Sequence, residues 1–399
     1  MKKGPPRSVF KKLIGFATSS SLKLSGPVLR CPALSQADFS VWEVATYRLL
    51  IRADADSTIG GGHLMRGLAL AYEWKARGGK VVFVTRCQNE ALRNRIRAGG
   101  FEIVSLEVSH PSPSDLETTA ATLNHVASKQ SRTQTVWVAL DGRHFDVDYQ
   151  RLIRRSGSRL LVMDDLAGLP VYHADLLHNQ SIEAPSIVYQ CDVDCKLLLG
   201  TEYVLLRPEF LSYLDWKRVV PDVARKVFVT MGAADNSSLL LSVLRCLVPI
   251  ALEIEGLEAK VIGGGASCGI AKLEGLTASL RERIEILESV GNMAELMAWA
   301  DIAVIGGGTT VWEAIFMQLP CLVLQVAEDQ KAAVDRVVSL GLAYGLAPGP
   351  EGNWLDPLGD RLLDLIKDLE TRQRFAGSRQ TWVDGRGAAR VVDEMLKLC

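Results

Sequence analysis

The stretch YRLLIRADADSTIGGGHLMRGLALAY, residues 47–72, holds one complete strand–turn–helix unit, and the rest of the chain repeats its pattern. Apolar residues run from Tyr47 to Ile51. Arg52, Asp54 and Asp56 then lead to Gly60, Gly61, Gly62 and His63, after which Leu64, Leu68, Ala71 and Tyr72 recur at helical spacing. A short apolar run that changes to a period of three to four across a glycine turn is the signature of a buried strand feeding a helix.

The unit recurs along the chain. Lys80 to Thr85 reads as a strand, with helical residues Glu90 to Ala98 behind it. Thr135 to Leu140 ends at Asp141, and Arg159 to Met163 ends at Asp164 and Asp165. The pattern pauses over the polar stretch 207–226, which contains Pro208 and Pro221, and then restarts. Val227 to Met231 runs into Gly232, Ala233, Ala234, Asp235 and Asn236, and Lys260 to Ile262 into Gly263, Gly264 and Gly265. Asp301 to Ile305 runs into Gly306, Gly307, Gly308, Thr309 and Thr310. Short buried strands alternating with helices imply right-handed crossovers and parallel sheets. The expected organisation is an α/β chain of two Rossmann-like domains, 47–210 and 211–399, with a hinge near 210 and a last helix that can cross back to the first domain. Ligands of such sheets bind at the carboxyl ends of the strands, here in an interdomain cleft.

Composition narrows the class. The 399 residues are 48% hydrophobic and 23% charged, with 45 basic against 46 acidic side chains. That balance excludes a globally basic nucleic-acid binder and a highly charged disordered chain. Residues 1–46 stand apart, with seven basic side chains against two acidic ones, Ser-rich stretches and no sustained period. They read as a disordered basic extension, because the apolar run from Phe10 is broken by Lys11 and Lys12, unlike a secretory signal. The longest apolar stretch, Leu239 to Leu252, is interrupted by Ser242, Arg245 and Pro249, so no membrane span is expected. Eight scattered cysteines read as reduced. Cys87, Cys246 and Cys321 are core residues, and the close pair Cys191 and Cys195 lacks the second pair a zinc site needs. The chain is expected to be cytoplasmic.

Three glycine-rich turns after strands carry the chemistry. Glycines let a backbone approach a ligand and turn its N–H groups toward it, and the following helix adds its positive end. None has the G-x-G-x-x-G dinucleotide form, and none is followed by the Lys-Ser/Thr of a P-loop, which disfavours nicotinamide enzymes and P-loop ATPases. In the 306–310 turn, Thr309 and Thr310 add hydroxyl donors suited to a diphosphate. Glu313 follows, able either to accept from two ribose hydroxyls or to cap its helix. His63 ends its glycine run at a strand-to-helix turn. It is a candidate general base, with a capping or packing role as the alternative. Asp141, Asp164 and Asp165 stand at strand ends, where carboxylates hold magnesium or, more commonly, cap helices.

These residues resemble a known family. Arg52, Asp54, Ile59 to His63 and Arg66 are similar to the opening motif of the UDP-2,4-diacetamido-2,4,6-trideoxy-β-L-altropyranose hydrolases of pseudaminic acid biosynthesis. Those enzymes are relatives of MurG-type glycosyltransferases with the two-Rossmann GT-B fold. The resemblance continues in order through Asp141, Asp164 and Asp165, Asp175 to Gln180, Leu206 to Phe210, Met231 and Gly232 with Asp235, Gly307 to Glu313, and Ala327 to Gln330. It covers roughly residues 47–345. It implies a GT-B-like fold and hydrolysis at the anomeric carbon, with inversion, without metal or other cofactor, and with His63 deprotonating the attacking water. The implied substrate is a UDP-sugar. The diphosphate would lie on the 306–310 loop, Gly307, Gly308, Thr309 and Thr310 included, the ribose on Glu313, and the uracil on the backbone near Val290 and Met293. Arg52, Asp54, Gly61, Gly62, Arg66, Asp141, Asn179, Gly232, Asp235 and Gln330 complete the implied binding set.

Some positions depart from the family pattern. Arg143 and His144 stand where a tyrosine is expected, Ala233 replaces a glycine, and His178 replaces an apolar residue. Residues 143, 144 and 178 are therefore expected to line the sugar site. Two alternatives stay open: a glycosyltransferase using the same donor, and a non-catalytic nucleotide-sugar-binding protein.

Overall fold

The computed structural model describes residues 47–56, 59–128, 135–232, 237–263, 280, 282–288, 290–348, 355–377 and 382–399. The expected extension over 1–46, together with Cys31, Ala233, Asp235, Gly264, Gly265 and Cys268, lies outside them.

The first half is a seven-stranded, all-parallel sheet built from β1 (Arg48–Ala53), β2 (Lys80–Thr85), β3 (Glu102–Ser105), β4 (Val136–Asp141), β5 (Arg159–Met163), β6 (Leu176–Asn179) and β7 (Lys196–Leu199). Its strand order is β3-β2-β1-β4-β5-β6-β7. The second half is a six-stranded parallel sheet of β8 (Lys226–Thr230), β9 (Glu258–Ile262), β10 (Ile284–Leu287), β11 (Ile302–Gly306), β12 (Cys321–Leu324) and β13 (Tyr344–Leu346), in the order β10-β9-β8-β11-β12-β13. The α/β reading with two Rossmann-like sheets is thus borne out. Both strand orders reverse at one place, between β1 and β4 and between β8 and β11. At such a reversal the flanking connections diverge to opposite faces and leave a crevice.

Alternation along the strands explains why both faces are covered. Leu49, Ile51 and Ala53 enter one apolar cluster while Leu50 enters the cluster on the opposite face. In the second sheet Val227 and Val229 divide from Phe228 in the same way. Each fully buried aliphatic side chain contributes about 1.5–3 kcal/mol. β1 and β4 are buried along their whole lengths.

Helix α1 (Gly62–Ala76) follows β1 and buries Leu64, Leu68 and Trp74 against that sheet. Gly61, the residue before the helix, supplies no side-chain cap. The polar stretch 207–226 is more anchored than its composition implies. It forms a short helix at Pro208–Leu211, Phe210 is fully buried, and Arg207 is 5% exposed. Arg207 pairs with Glu313, and Arg218 donates to the carbonyls of Met297 and Met317, all far away in the chain.

The last helix, Gly387–Leu396, lies on the first sheet's side: Ala388, Val391, Val392 and Met395 join the cluster of Leu64 and Leu68. Arg77 pairs with Asp393 at 2.6 Å, and Lys196 with Glu394 at 2.6 Å. Gly387 makes this docking possible, because a Cβ there would fall 2.2 Å from the Val204 carbonyl oxygen. Gly387→Ala is expected to cost about 1–3 kcal/mol through forced backbone displacement. Thermal unfolding checks this, since an unchanged midpoint would mean that the helix does not dock so closely.

Candidate active site

The two crevices open onto one cavity of about 1640 Å³. It is larger than the roughly 300–1,000 Å³ that small-molecule sites usually occupy. From the first half it is lined by Gly61, Gly62, His63, Arg66, Arg143 and His144, and from the second by Gly232, Val290, Met293, Glu313, Gln330 and the 306–310 loop. The two glycine turns approach each other closely: a Cβ on Gly62 would lie 3.9 Å from Thr309 Oγ1. Sequence positions some 250 residues apart are therefore brought to one place.

His63, in the first turn of α1, lines the cavity and is 15% exposed through its side chain. Its Nδ1 lies 2.6 Å from Asp141 Oδ1 at the end of β4. Arg66, one turn further along α1, donates to the same carboxylate from Nε to Oδ2 at 2.5 Å and from Nη2 to Oδ1 at 2.6 Å. Arg66 also donates to both oxygens of Asp165, at 2.7 and 3.0 Å. Burial by itself would raise the pKa of Asp141, but the charge of Arg66 and the hydrogen bonds from Arg66 and His63 outweigh it and hold the carboxyl well below the usual range. Asp165 is lowered in the same way by Arg66, against its own burial. Ionised Asp141 only accepts hydrogen bonds, so His63 Nδ1 carries the proton and Nε2 of the neutral ring keeps the lone pair.

The second half presents helix Thr310–Phe316, whose N-terminal residue Thr309 makes no side-chain cap. Glu313 does not cap this helix: its Oε1 accepts from Arg207 Nη2 at 2.9 Å. Arg207 thereby ties the segment between the sheets to the cavity wall. Arg95, on the helix Glu90–Ala98, donates to the carbonyls of Val290 and Gly291, the latter at 3.2 Å. Gln330 Oε1 accepts from Val326 N–H at 3.0 Å, which fixes the loop behind the glycines.

Several expected site residues stand behind the wall. Arg52, Asp54, Asp141 and Asn179 are all buried and do not line the cavity. Arg52 pairs with Asp54 and Asp115, and Asn179 donates to the Tyr189 hydroxyl at 2.8 Å. A charged side chain in a turn reads as a ligand contact until its long-range partner is known, and Asp115 is 63 residues away. His178, expected on the sugar side, is likewise fully buried and bonded through Nε2 to the Tyr203 carbonyl at 2.9 Å. The carboxylates weighed for magnesium are already engaged. Arg66 holds Asp141 and Asp165, while Asp164 accepts from Tyr172 and Tyr189 at 2.9 Å each. Among the described residues, no three His, Cys, Asp or Glu side chains converge as a metal site. Arg95 and Arg207 were not among the expected site residues. The motif Leu206 to Phe210 contains Arg207, but only its Glu313 contact assigns it to the wall.

No protein-family model matches the chain. Its curated relatives are distant. It is 24% identical over 318 residues to an uncharacterized protein of Methanocaldococcus jannaschii, a match that spans 77% of this chain and 62% of that protein. It is 24% identical to the spore coat polysaccharide biosynthesis protein SpsG of Bacillus subtilis, over 61% of this chain and 70% of that protein. It is also 23% identical to the UDP-2,4-diacetamido-2,4,6-trideoxy-β-L-altropyranose hydrolase of Campylobacter jejuni, over 74% of this chain and 97% of that protein. Among solved structures, Acinetobacter baumannii MurG superposes with a TM-score of 0.57 at 14% identity, covering 88% of this chain and 99% of the other. A UDP-GlcNAc 2-epimerase from Neisseria meningitidis does so at 0.59 and 12%, covering 88% and 100%. The resemblance read from the motifs and the GT-B-like fold are both supported by these matches.

Burial and the nearby Arg66 charge push the pKa of His178 down to about 4. An unfolded histidine titrates near 6.5, so between roughly 6.5 and 4 the unfolded chain binds a proton that the native chain refuses. The stability this contributes is fully present above pH ~6.5 and is lost as pH falls toward ~4, up to about 3 kcal/mol. Wild-type thermal midpoints should therefore fall from pH 7 to 4.5 more steeply than those of His178→Gln. Parallel slopes would refute this assignment.

Proposed function

We propose that this protein hydrolyses a UDP-linked deoxy-diacetamido sugar at its anomeric carbon, releasing UDP and the free sugar for pseudaminic acid-type (nonulosonate) biosynthesis. The observation that carries this reading is the His63–Asp141–Arg66 group facing the 306–310 loop across the cavity. The similarity to the Campylobacter hydrolase supports the same chemistry. In this proposal residues 47–210 supply the sugar side and 211–399 the UDP side. The enzyme works in the cytoplasm and feeds surface polysaccharide or flagellin glycosylation.

The chemistry follows from the donor geometry. Backbone amides and hydroxyls of Gly307, Gly308, Thr309 and Thr310 hold the diphosphate at a helix start. The side of Glu313 not taken by Arg207 receives the ribose hydroxyls, and the backbone at Val290 and Met293 the uracil. Gly232 and Gln330 close the nucleotide side. His63 Nε2 takes a proton from water as the water oxygen bonds to C1. The bond from C1 to the β-phosphate oxygen breaks with its electron pair leaving on UDP, and the configuration at C1 inverts. Asp141 stabilises the imidazolium that forms, and Arg66 keeps Asp141 ionised and in place. No step uses a metal. The loop amides and helix start stabilise the charge that develops on the departing diphosphate.

A second reading, transfer to an acceptor hydroxyl in place of water, is favoured by the size of the cavity. Purified protein incubated with candidate UDP-sugars and no acceptor separates the two. We expect stoichiometric release of UDP and free sugar, insensitive to chelator. His63→Gln should slow turnover by about 10²–10⁴-fold with UDP affinity retained. UDP-sugar binding without release, or release undiminished in His63→Gln, would count against hydrolysis by this residue.

A further inference from the structure

The first half of the cavity wall carries a second histidine–aspartate pair that the reaction above does not use. His144 lines the cavity, and its Nε2 lies 3.0 Å from Asp54 Oδ2. Asp54 follows β1 whereas His144 follows β4. Conversely, Asp141 at the end of β4 holds His63, which follows β1. The two pairs cross between neighbouring strands, whose ends are in register at Ala53 and Asp141.

Asp54 is held as firmly as Asp141. Arg52 donates to both of its oxygens, at 2.5 and 2.9 Å, and the Arg86 backbone N–H donates at 2.7 Å. Burial would raise its pKa, but the hydrogen bonds from His144 and Arg52 and the charge of Arg52 outweigh that and keep it ionised. The carboxylate therefore accepts from His144 Nε2–H, and the neutral ring keeps its lone pair on Nδ1. Two further contacts fix the ring. It lies on Phe145 at 4.1 Å between centroids, and it occupies space left by Gly142, where a Cβ would fall 2.7 Å from Cε1. Arg52 lies over the other partner of that stack, 4.8 Å from the Phe145 centroid. A buried ion pair with no access to the cavity thus sets the orientation of an imidazole on its wall.

We propose that His144 binds the sugar of the UDP-sugar, its Nδ1 accepting a hydrogen bond from a sugar N–H or O–H, with Asp54 and Arg52 as positioning residues. The assignment rests on the cavity being a UDP-sugar site. It selects for sugars that present a donor, such as an acetamido N–H, on the face toward the first sheet. In this assignment His144 meets the sugar and not the UDP, so the contact separates sugar recognition from nucleotide recognition.

Calorimetry in the His63→Gln background, where turnover does not consume the ligand, tests this with two probes: UDP and UDP-2,4-diacetamido-2,4,6-trideoxy-β-L-altropyranose. His144→Phe should weaken the UDP-sugar by about tenfold, the size of one hydrogen bond, and leave UDP unchanged. His144→Asn, whose amide oxygen stands near the place of Nδ1, should recover part of that loss. If the phenylalanine variant does not fold, His144→Ala gives the same comparison. Equal loss for both ligands, or loss for neither, overturns the role of His144 while UDP binding upholds the cavity assignment. Failure of the His63→Gln protein to bind either ligand overturns the cavity assignment and this inference with it.

Discussion

Asp141 has no solvent exposure, yet it is ionised and accepts from Arg66 and His63 at 2.5–2.6 Å. Removing a carboxylate from water is costly unless cations and donors replace the lost hydration, and removing one partner of such a group costs about 3–5 kcal/mol. The rest of the site depends on this constraint. To reach Asp141, Arg66 must face the sheet, which sets the rotation of α1 about its axis. That rotation in turn brings His63, one turn earlier, to the rim with Nδ1 on the carboxylate. Asp165 is drawn to the same guanidinium, so the ends of β4 and β5 and the start of α1 are held as one unit.

The second sheet contributes a different kind of constraint. Its glycine loop offers backbone groups and a helix start, with Arg207 and Arg95 attached to the wall beside it. Over 47–399 the chain has 38 basic against 44 acidic residues, so net charge does not attract an anionic ligand. Attraction has to be local, from N–H groups and a few guanidinium groups in a cavity where water screens them less than at the surface. This division, a charged histidine–carboxylate wall facing an amide-lined loop, suits a ligand with an uncharged reacting end and an anionic leaving end.

Much of the fold was legible in the sequence, and for a definite reason. Lys80–Thr85, Arg159–Met163 and Glu90–Ala98 fall at the bounds their residues predict. A strand buried on both faces has to be apolar throughout, and its ends are marked by the first polar or glycine residue. β1 runs on to Ala53, two residues past its apolar run, because Arg52 is buried on ionic partners rather than in water. The cavity-lining glycines, His63 and Arg66 were also legible, since a strand-to-helix turn places its residues at the carboxyl edge of the sheet. Which side chains face the ligand was not. Arg52, Asp54 and Asn179 share the same turns and segments but point inward, and His178, in β6, is buried on the Tyr203 carbonyl.

By itself, then, the sequence determined the local elements, their parallel arrangement and the edges of the sheets where ligands gather. These follow from short-range periodicity and from the need to bury apolar strands. Only the tertiary structure decided the partners: Asp115 for Arg52, Asp141 for His63, Asp54 for His144 and Glu313 for Arg207. Each joins residues from 63 to 106 positions apart. A charge has no periodicity that reveals its partner, and whether it meets a ligand or a buried counter-charge depends on how the elements pack.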